Sequence, residues 1–433
     1  MDRYIIEGGR RLHGRARVKG AKNAALPMIA AALLMDPGHT LTLHNVPDLS
    51  DIQVMLALLE ALGCTVQRDK ETVFITVTDN RPIRAPYEIV STMRASICVL
   101  GPLIARRQQA HVSLPGGCAI GVRPVNLHLR GLETMGAKIR VDHGYIIANA
   151  KRLHGGVVYL GGEFGSTVTG TANILMAATL ARGTTEIEYA ALEPEVQELA
   201  RLLVRMGARI DGIGSYRLTI HGVEHLHSTE ATVMPDRIEA GTFMAAAAIT
   251  RGDVTVENVR FEDMVAVVEV LKAMGCRVDF DSYNVRVRGP KRIKPVDVTT
   301  LPYPGFPTDL QSQFMACLAV ASGISVVTEK IYPDRFMHVP ELGRMGAQIR
   351  KQDAAAIIVG VKELHGAPVM ASDLRAGAGL IIAGLAAKGF TEISRIYHVD
   401  RGYDRVEKRF NAIGARIHRV AEKVEQRKTR KAE

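Results

Sequence analysis

Six short polar phrases recur along this chain, each directly before a run rich in small and aliphatic residues. They read Lys22-Asn23, Ser91-Thr92-Met93-Arg94, Ser166-Thr167, Asp236-Arg237-Ile238-Glu239, Pro307-Thr308-Asp309 and Asp373-Leu374-Arg375. If the runs are helices, the phrases lie at helix N-termini, where unpaired N–H groups and the helix dipole attract anions. Thr167 and Asp373 fit helix capping equally well. Capping does not explain Lys22, Arg94, Arg237 and Arg375, because a cation there opposes the dipole; a bound polyanion would. A second series, Arg123, Arg335 and Arg401, stands before a different set of helices, and guanidinium forks suit phosphate and carboxylate. The segment Leu114-Pro115-Gly116-Gly117-Cys118-Ala119-Ile120-Gly121 combines three glycines with one thiol, which reads as an exposed loop with a chemical role for Cys118.

The elements that must position these groups repeat. Leu62-Gly63-Cys64, Met135-Gly136-Ala137, Met206-Gly207-Ala208, Met274-Gly275-Cys276, Met345-Gly346-Ala347 and Ile413-Gly414-Ala415 follow one another at intervals of about 70 residues. Each reads as a helix stopped by a glycine, followed by a strand. In the third unit, Gly156–Leu160 predicts a strand, Val168–Ala181 a helix, Thr184–Glu188 a strand and Pro194–Met206 a helix. Strands over Ala208–Asp211 and Tyr216–Ile220 complete a β-α-β-α-β-β unit. The Pro194–Met206 helix is amphipathic, whereas Val168–Ala181 is apolar on every side and so must be buried all round. Equivalent apolar helices are predicted at Ala24–Met35, Ala95–Ala105, Ala240–Thr250, Phe314–Ala321 and Ala376–Ala387. The fold class is therefore α/β, with two inside-out barrel domains of three units each, helices within and sheets without.

At 433 residues the chain exceeds one ordinary core. Its hydrophobic content of 47%, with 5% aromatic and no Trp, predicts a core of small aliphatic side chains. The start, Met1-Asp2-Arg3-Tyr4, has no apolar stretch of the kind that directs export, and no apolar run is long enough to cross a bilayer. Five cysteines without CxxC spacing argue against a disulfide framework and a zinc site. Cys64 and Cys276 fill the small position after the repeat glycine, and Cys98 and Cys317 lie on apolar helices. The expected location is cytoplasmic. The net charge of +10 is partly a basic tail, Arg427-Lys428-Thr429-Arg430-Lys431. Without interleaved aromatics that tail reads as solvated and disordered rather than as a nucleic-acid site.

These phrases together resemble the enolpyruvyl transferases. The resemblance is carried by Gly20-Ala21-Lys22-Asn23-Ala24-Ala25, Met93-Arg94-Ala95-Ser96, Leu114-Pro115-Gly116-Gly117-Cys118 with Arg123-Pro124, and Pro235-Asp236-Arg237-Ile238-Glu239. Phe306-Pro307-Thr308-Asp309, Arg335-Phe336-Met337-His338-Val339, Asp373-Leu374-Arg375-Ala376 and Asp400-Arg401-Gly402-Tyr403 extend it to about Val420. It implies a first domain of residues 1–21 and 235–420, a second of 22–234 carrying the Cys118 loop, a tail of 421–433, and an active site between domains that close on substrate. The implied reaction moves the enolpyruvyl group of phosphoenolpyruvate to the 3′-hydroxyl of UDP-N-acetylglucosamine, the first committed step of peptidoglycan precursor synthesis. No metal or organic cofactor is implied.

By the same resemblance, Lys22, Arg123 and Arg401 hold phosphoenolpyruvate, with Arg94 and Arg375 supporting its charge. Asn23 and Asp309 contact the sugar, Arg123, Pro124, Leu127, Thr167 and Val168 face the nucleotide, and Val125, Asn126, Ile331 and Arg335 are further substrate-binding residues. Catalysis falls to Cys118, Asp309, Lys22 and Arg401, and Cys118 is the expected point of attack by fosfomycin. A free thiol, with a pKa near about 8.5, is protonated at neutral pH and can donate, while neighbouring arginines favour thiolate; acid and nucleophile both stay open. Asp309, at about 3.9 when free, is a weak base for an alcohol, so it either acts in concert with C–O bond formation or orients the hydroxyl. Asn126, Thr167-Val168-Thr169-Gly170 and Pro333-Asp334 depart from the family pattern. Rival readings are a transferase with another hydroxyl acceptor and a non-catalytic copy that binds a nucleotide sugar.

Overall fold

The computed structural model describes residues 2–114 and 125–421. Cys118, Arg123 and Pro124, most of the glycine-rich segment, and the tail beyond 421 lie outside them. Gly63, Gly136, Gly207, Gly275, Gly346 and Gly414 have φ of 84°, 92°, 111°, 92°, 91° and 97°, left-handed values that side chains other than glycine rarely take. At each, an outer helix ends and the chain turns back as an edge strand.

Among the described residues six four-stranded sheets form, all with one parallel pairing followed by two antiparallel ones. In the third unit Val157–Tyr159 runs parallel to Thr184–Glu188, which pairs antiparallel with Arg217–His221, itself paired with Arg209–Asp211. Alternation sends Ile187, Leu218 and Ile220 inward and their neighbours outward. The first strand of the chain, Arg3–Glu7, lies in the sheet formed by the last unit, between Phe390–Ser394 and Ile417–Val420. Likewise Thr229–Thr232 completes the first unit's sheet beside Thr40–His44.

Two hydrophobic cores form, each enclosed by three of these sheets. One draws on residues 21–234, the other on 4–18 and 238–417. Apolar helices fill them: Arg237–Ile249 is buried without interruption from Ile238, and Val168–Ala178 from Gly170. Ala and Gly on these helices allow close approach, which larger residues would forbid. The outer helix Pro194–Arg205 buries Val196, Leu199, Leu202 and Leu203 and exposes Arg201 and Val204. The two crossings between the cores lie side by side. Gly20 bridges Pro235, the Ala21 N–H donates to the Met234 carbonyl at 2.7 Å, and that of Asp236 to Lys19 at 2.8 Å. A Cβ on Gly20 would stand 1.8 Å from the Asn45 carbonyl oxygen, so this passage requires glycine.

Two inner helices differ from expectation. The first is α-helical over Lys22–Ala30 and tightens to a 3-10 turn over Ala31–Leu34. The second splits into a 3-10 segment, Arg94–Val99, and an α-helix, Leu100–Arg107. Pro102 has no N–H to give and stands in the first turn of that α-helix, where none is needed. A small hairpin, Gly161–Gly162 against Gly165–Ser166, went unpredicted because its glycines carry no hydrophobic alternation.

Candidate active site

Lys22 opens its inner helix and is buried with its ammonium 2.9 Å from Asp51 Oδ2. Arg401, from the other core, donates Nε to Asp51 Oδ1, also at 2.9 Å. Asp51 stands in the first turn of the outer helix Ser50–Ala61, where its charge also suits the dipole. Burial opposes its ionisation, but Lys22 and Arg401 outweigh that and hold the carboxyl below the usual carboxylate range. One carboxylate thus gathers two cations that are far apart in sequence.

A second node forms around Asp309, in the turn Thr308–Leu310 ahead of the helix Gln311–Leu318. Arg335 Nη1 reaches Asp309 Oδ1 and Arg375 Nη2 reaches Oδ2, both at 2.7 Å. Burial again disfavours the charge; Arg375 and Arg335 reverse the balance and hold Asp309 far below the usual range. Such a carboxylate orients a hydroxyl better than it takes its proton. Arg375 also lies over the Tyr403 ring and approaches its hydroxyl at 3.5 Å. The two nodes share a field: the charges of Arg375 and Lys22 both reach Asp236, and that of Asp309 reaches Arg237.

These pairings correct one expectation. Lys22, Arg237 and Arg375 have carboxylate partners within the protein, so a bound polyanion is not required to explain cations at helix N-termini. Arg237 takes Glu195, Nε to Oε1 at 2.9 Å, across the boundary between the cores. Asp236 and Asp373 cap their helices through two N–H groups each, and Thr167 caps through Gly170.

The acceptor-side residues are less concentrated. Asn23 is exposed beside Lys22. Thr167 and the exposed Val168 follow the Gly161–Ser166 hairpin, where Leu127 packs by Gly162 and Pro302 by Gly165. That last contact sets the hairpin against the segment leading to Asp309. Val125 is half-buried and the exposed Asn126 opens the helix Asn126–Thr134. Arg94 acts at a distance on His128, whose pKa burial and that charge push down to about 3. The Ile331 N–H donates to Glu329 at 2.9 Å.

Sequence reasoning missed Asp51, Glu195 and Glu329, and it gave Tyr403 a place in a motif but no role. A signal existed for the first two: Ser50-Asp51 and Pro194-Glu195 occupy the same place in their units, an acid opening an outer helix. Among the described residues, no group of three or more His, Cys, Asp and Glu is placed to hold a metal ion, and no helix is long and apolar enough to cross a membrane.

Two inside-out α/β bodies meet at paired cation–carboxylate nodes, an arrangement whose guanidinium and ammonium groups suit an anionic ligand. The family model described as EPSP synthase (3-phosphoshikimate 1-carboxyvinyltransferase) matches residues 6–410, and the chain belongs to this family of enolpyruvyl transferases. A relative from Myxococcus xanthus, named UDP-N-acetylglucosamine 1-carboxyvinyltransferase, is 51% identical over 422 residues, 97% of this chain and 99% of its own. The solved structure of the enolpyruvyl transferase NikO from Streptomyces tendae is 25% identical, with a TM-score of 0.87 over 96% of this chain and 98% of that one. An EPSP synthase structure from Acinetobacter baumannii shares the fold at 20% identity, with a TM-score of 0.75 over 97% of this chain and 100% of that one.

Proposed function

We propose that the protein transfers the enolpyruvyl group of phosphoenolpyruvate to the 3′-hydroxyl of UDP-N-acetylglucosamine and releases phosphate, in the cytoplasm, as a step of cell-wall precursor synthesis. The observation that carries the site assignment is the convergence of Lys22 and Arg401, from different cores, on Asp51. The Myxococcus relative's name supports the choice of acceptor.

In this reading the two cations exchange part of their bond to Asp51 for the phosphate and carboxylate of phosphoenolpyruvate, with Arg123 completing the clamp. The sugar hydroxyl bonds to C2 and passes its proton to the phosphate of the donor, while C3 gains a proton, for which the Cys118 thiol is the donor. The tetrahedral ketal then loses phosphate and returns a C3 proton to the Cys118 sulfur, restoring the alkene. Asp309, fixed by Arg335 and Arg375, orients the hydroxyl, and the surrounding guanidinium groups balance charge on the departing phosphate. Lys22 and Arg401 therefore act on the donor, and Asp309 on the acceptor.

Purified protein should release phosphate from phosphoenolpyruvate when UDP-N-acetylglucosamine is present and not otherwise. Absence of release, or equal release with 3-phosphoshikimate, overturns the assignment.

A further inference from the structure

We propose that Glu329 is a positioning residue for the acceptor side of the site, acting through Thr308 and the Ile331–Tyr332 backbone; this rests on the activity proposed above. Its side chain is fully buried at the end of the strand Ile324–Glu329. Oε1 accepts from the Thr300 hydroxyl at 2.6 Å and from the N–H groups of Ile331 and Tyr332 at 2.9 and 3.0 Å. Oε2 accepts from the Thr308 hydroxyl at 2.9 Å. Four donors from three segments thus close on one carboxylate, one segment leading to Asp309 on the acceptor side and another carrying Ile331, a further expected substrate contact.

Hydrogen-bond polarity gives this cluster a direction. A carboxylate only accepts and a guanidinium only donates. The Thr308 hydrogen therefore points at Glu329, leaving an oxygen lone pair for Arg335 Nη1 at 2.9 Å. The same Nη1 is 2.7 Å from Asp309 Oδ1. Glu329 sets the hydroxyl, the hydroxyl sets the guanidinium, and the guanidinium sets Asp309. Lys330 repeats the arrangement on the other side, its N–H donating at 3.0 Å to the Thr300 hydroxyl that Glu329 holds. A glutamine here is equal in size but opposite in one polarity. Its oxygen takes the three donors on the Oε1 side, and its amide N–H then faces Thr308. The hydroxyl oxygen then receives donors from both the amide and Arg335 Nη1, and its hydrogen loses the acceptor that fixed it.

The test uses wild-type protein, Glu329→Gln, Thr308→Val and Thr308→Ser, each checked for an unchanged thermal unfolding midpoint, with phosphate release measured as each substrate is varied in turn. Thr308→Ser keeps the relay, and its KM values should stay within about twofold of wild type. Thr308→Val and Glu329→Gln should raise KM for UDP-N-acetylglucosamine by roughly tenfold or more, the effect of one charge-assisted hydrogen bond, with KM for phosphoenolpyruvate nearly unchanged. An unchanged acceptor KM in folded Thr308→Val overturns the proposal, as does an equal rise for both substrates, the sign of a purely structural role. Should Glu329→Gln fail to fold, Thr308→Val decides alone. A wild type active only with another hydroxyl acceptor refutes the preceding assignment instead, and the variants are then judged by KM for that acceptor.

Discussion

Arg401→Ala and Asp51→Ala break the same ion pair, yet the structure makes the two losses unequal. Side-chain exposure is 6% for Asp51, 11% for Lys22 and 31% for Arg401. Without Arg401, Asp51 keeps Lys22 at 2.9 Å, and deleting a partly solvated guanidinium costs about 1 kcal/mol of stability. Without Asp51, the Lys22 ammonium stays buried with its counterion gone, a loss of about 3–5 kcal/mol. Urea unfolding followed by far-UV circular dichroism measures the gap, since the chain has no Trp to report by fluorescence. Activity should move the other way. Arg401→Ala removes one charge-assisted contact to a polyanion, about 1.5–3 kcal/mol, so KM for phosphoenolpyruvate should rise roughly 10- to 100-fold. Affinity for UDP-N-acetylglucosamine, read by calorimetry, should hold within about twofold. Equal destabilisation by the two variants, or an unmoved phosphoenolpyruvate KM in Arg401→Ala, refutes the role given to Asp51.

Burial pushes Asp263 up to about 6 despite Arg237 and Arg260, so its ionisation weakens the fold as pH rises from the ordinary carboxylate value to that point. Asp263→Asn should therefore raise the melting temperature at pH 8 and lose that advantage by pH 4; a gain at both pH values counts against the reasoning. Burial also raises Cys64 to about 11, Cys98 and Cys276 to about 12, and Cys317 well above its usual value. Exposure to fosfomycin should add one adduct to the intact mass, abolished by Cys118→Ala, and a second adduct on native protein would contradict this. Gly63→Ala should cost far more stability than Gly389→Ala, both judged by unfolding midpoint. Each has positive φ, worth about 1–2 kcal/mol, but at Gly63 the new Cβ lies 2.2 Å from the Asp79 carbonyl oxygen, whereas at Gly389 nothing lies within 4 Å.

The six glycine phrases made the repeat legible because a left-handed helix end is a local requirement, met by one residue type. Apolar helices were legible for a similar reason: Val168–Ala178 has no polar face to mistake for a surface. Their exact forms were not, since an apolar run does not distinguish the 3-10 stretch Arg94–Val99 from the α-helix Leu100–Arg107 that follows it. For the site, the cations stood out because they oppose a helix dipole, while their partners stayed hidden. Asp51 looks like any acid in a first helical turn until Arg401 arrives from 350 residues away. Glu329 looks like a strand-end surface carboxylate until four donors are seen to enclose it. Sequence discloses the charge that offends a local rule; only the folded chain discloses what answers it.

The paired crossings at Gly20 and Pro235 have a further consequence. Residues 21–234 leave and re-enter the rest of the chain through points one hydrogen bond apart. That body can be excised and its loose ends sealed by a short linker, while Gly20 and Pro235 can be spliced to each other without spanning a gap. The molecule is thus, in its wiring, one three-sheet globule inserted into a single connection of another.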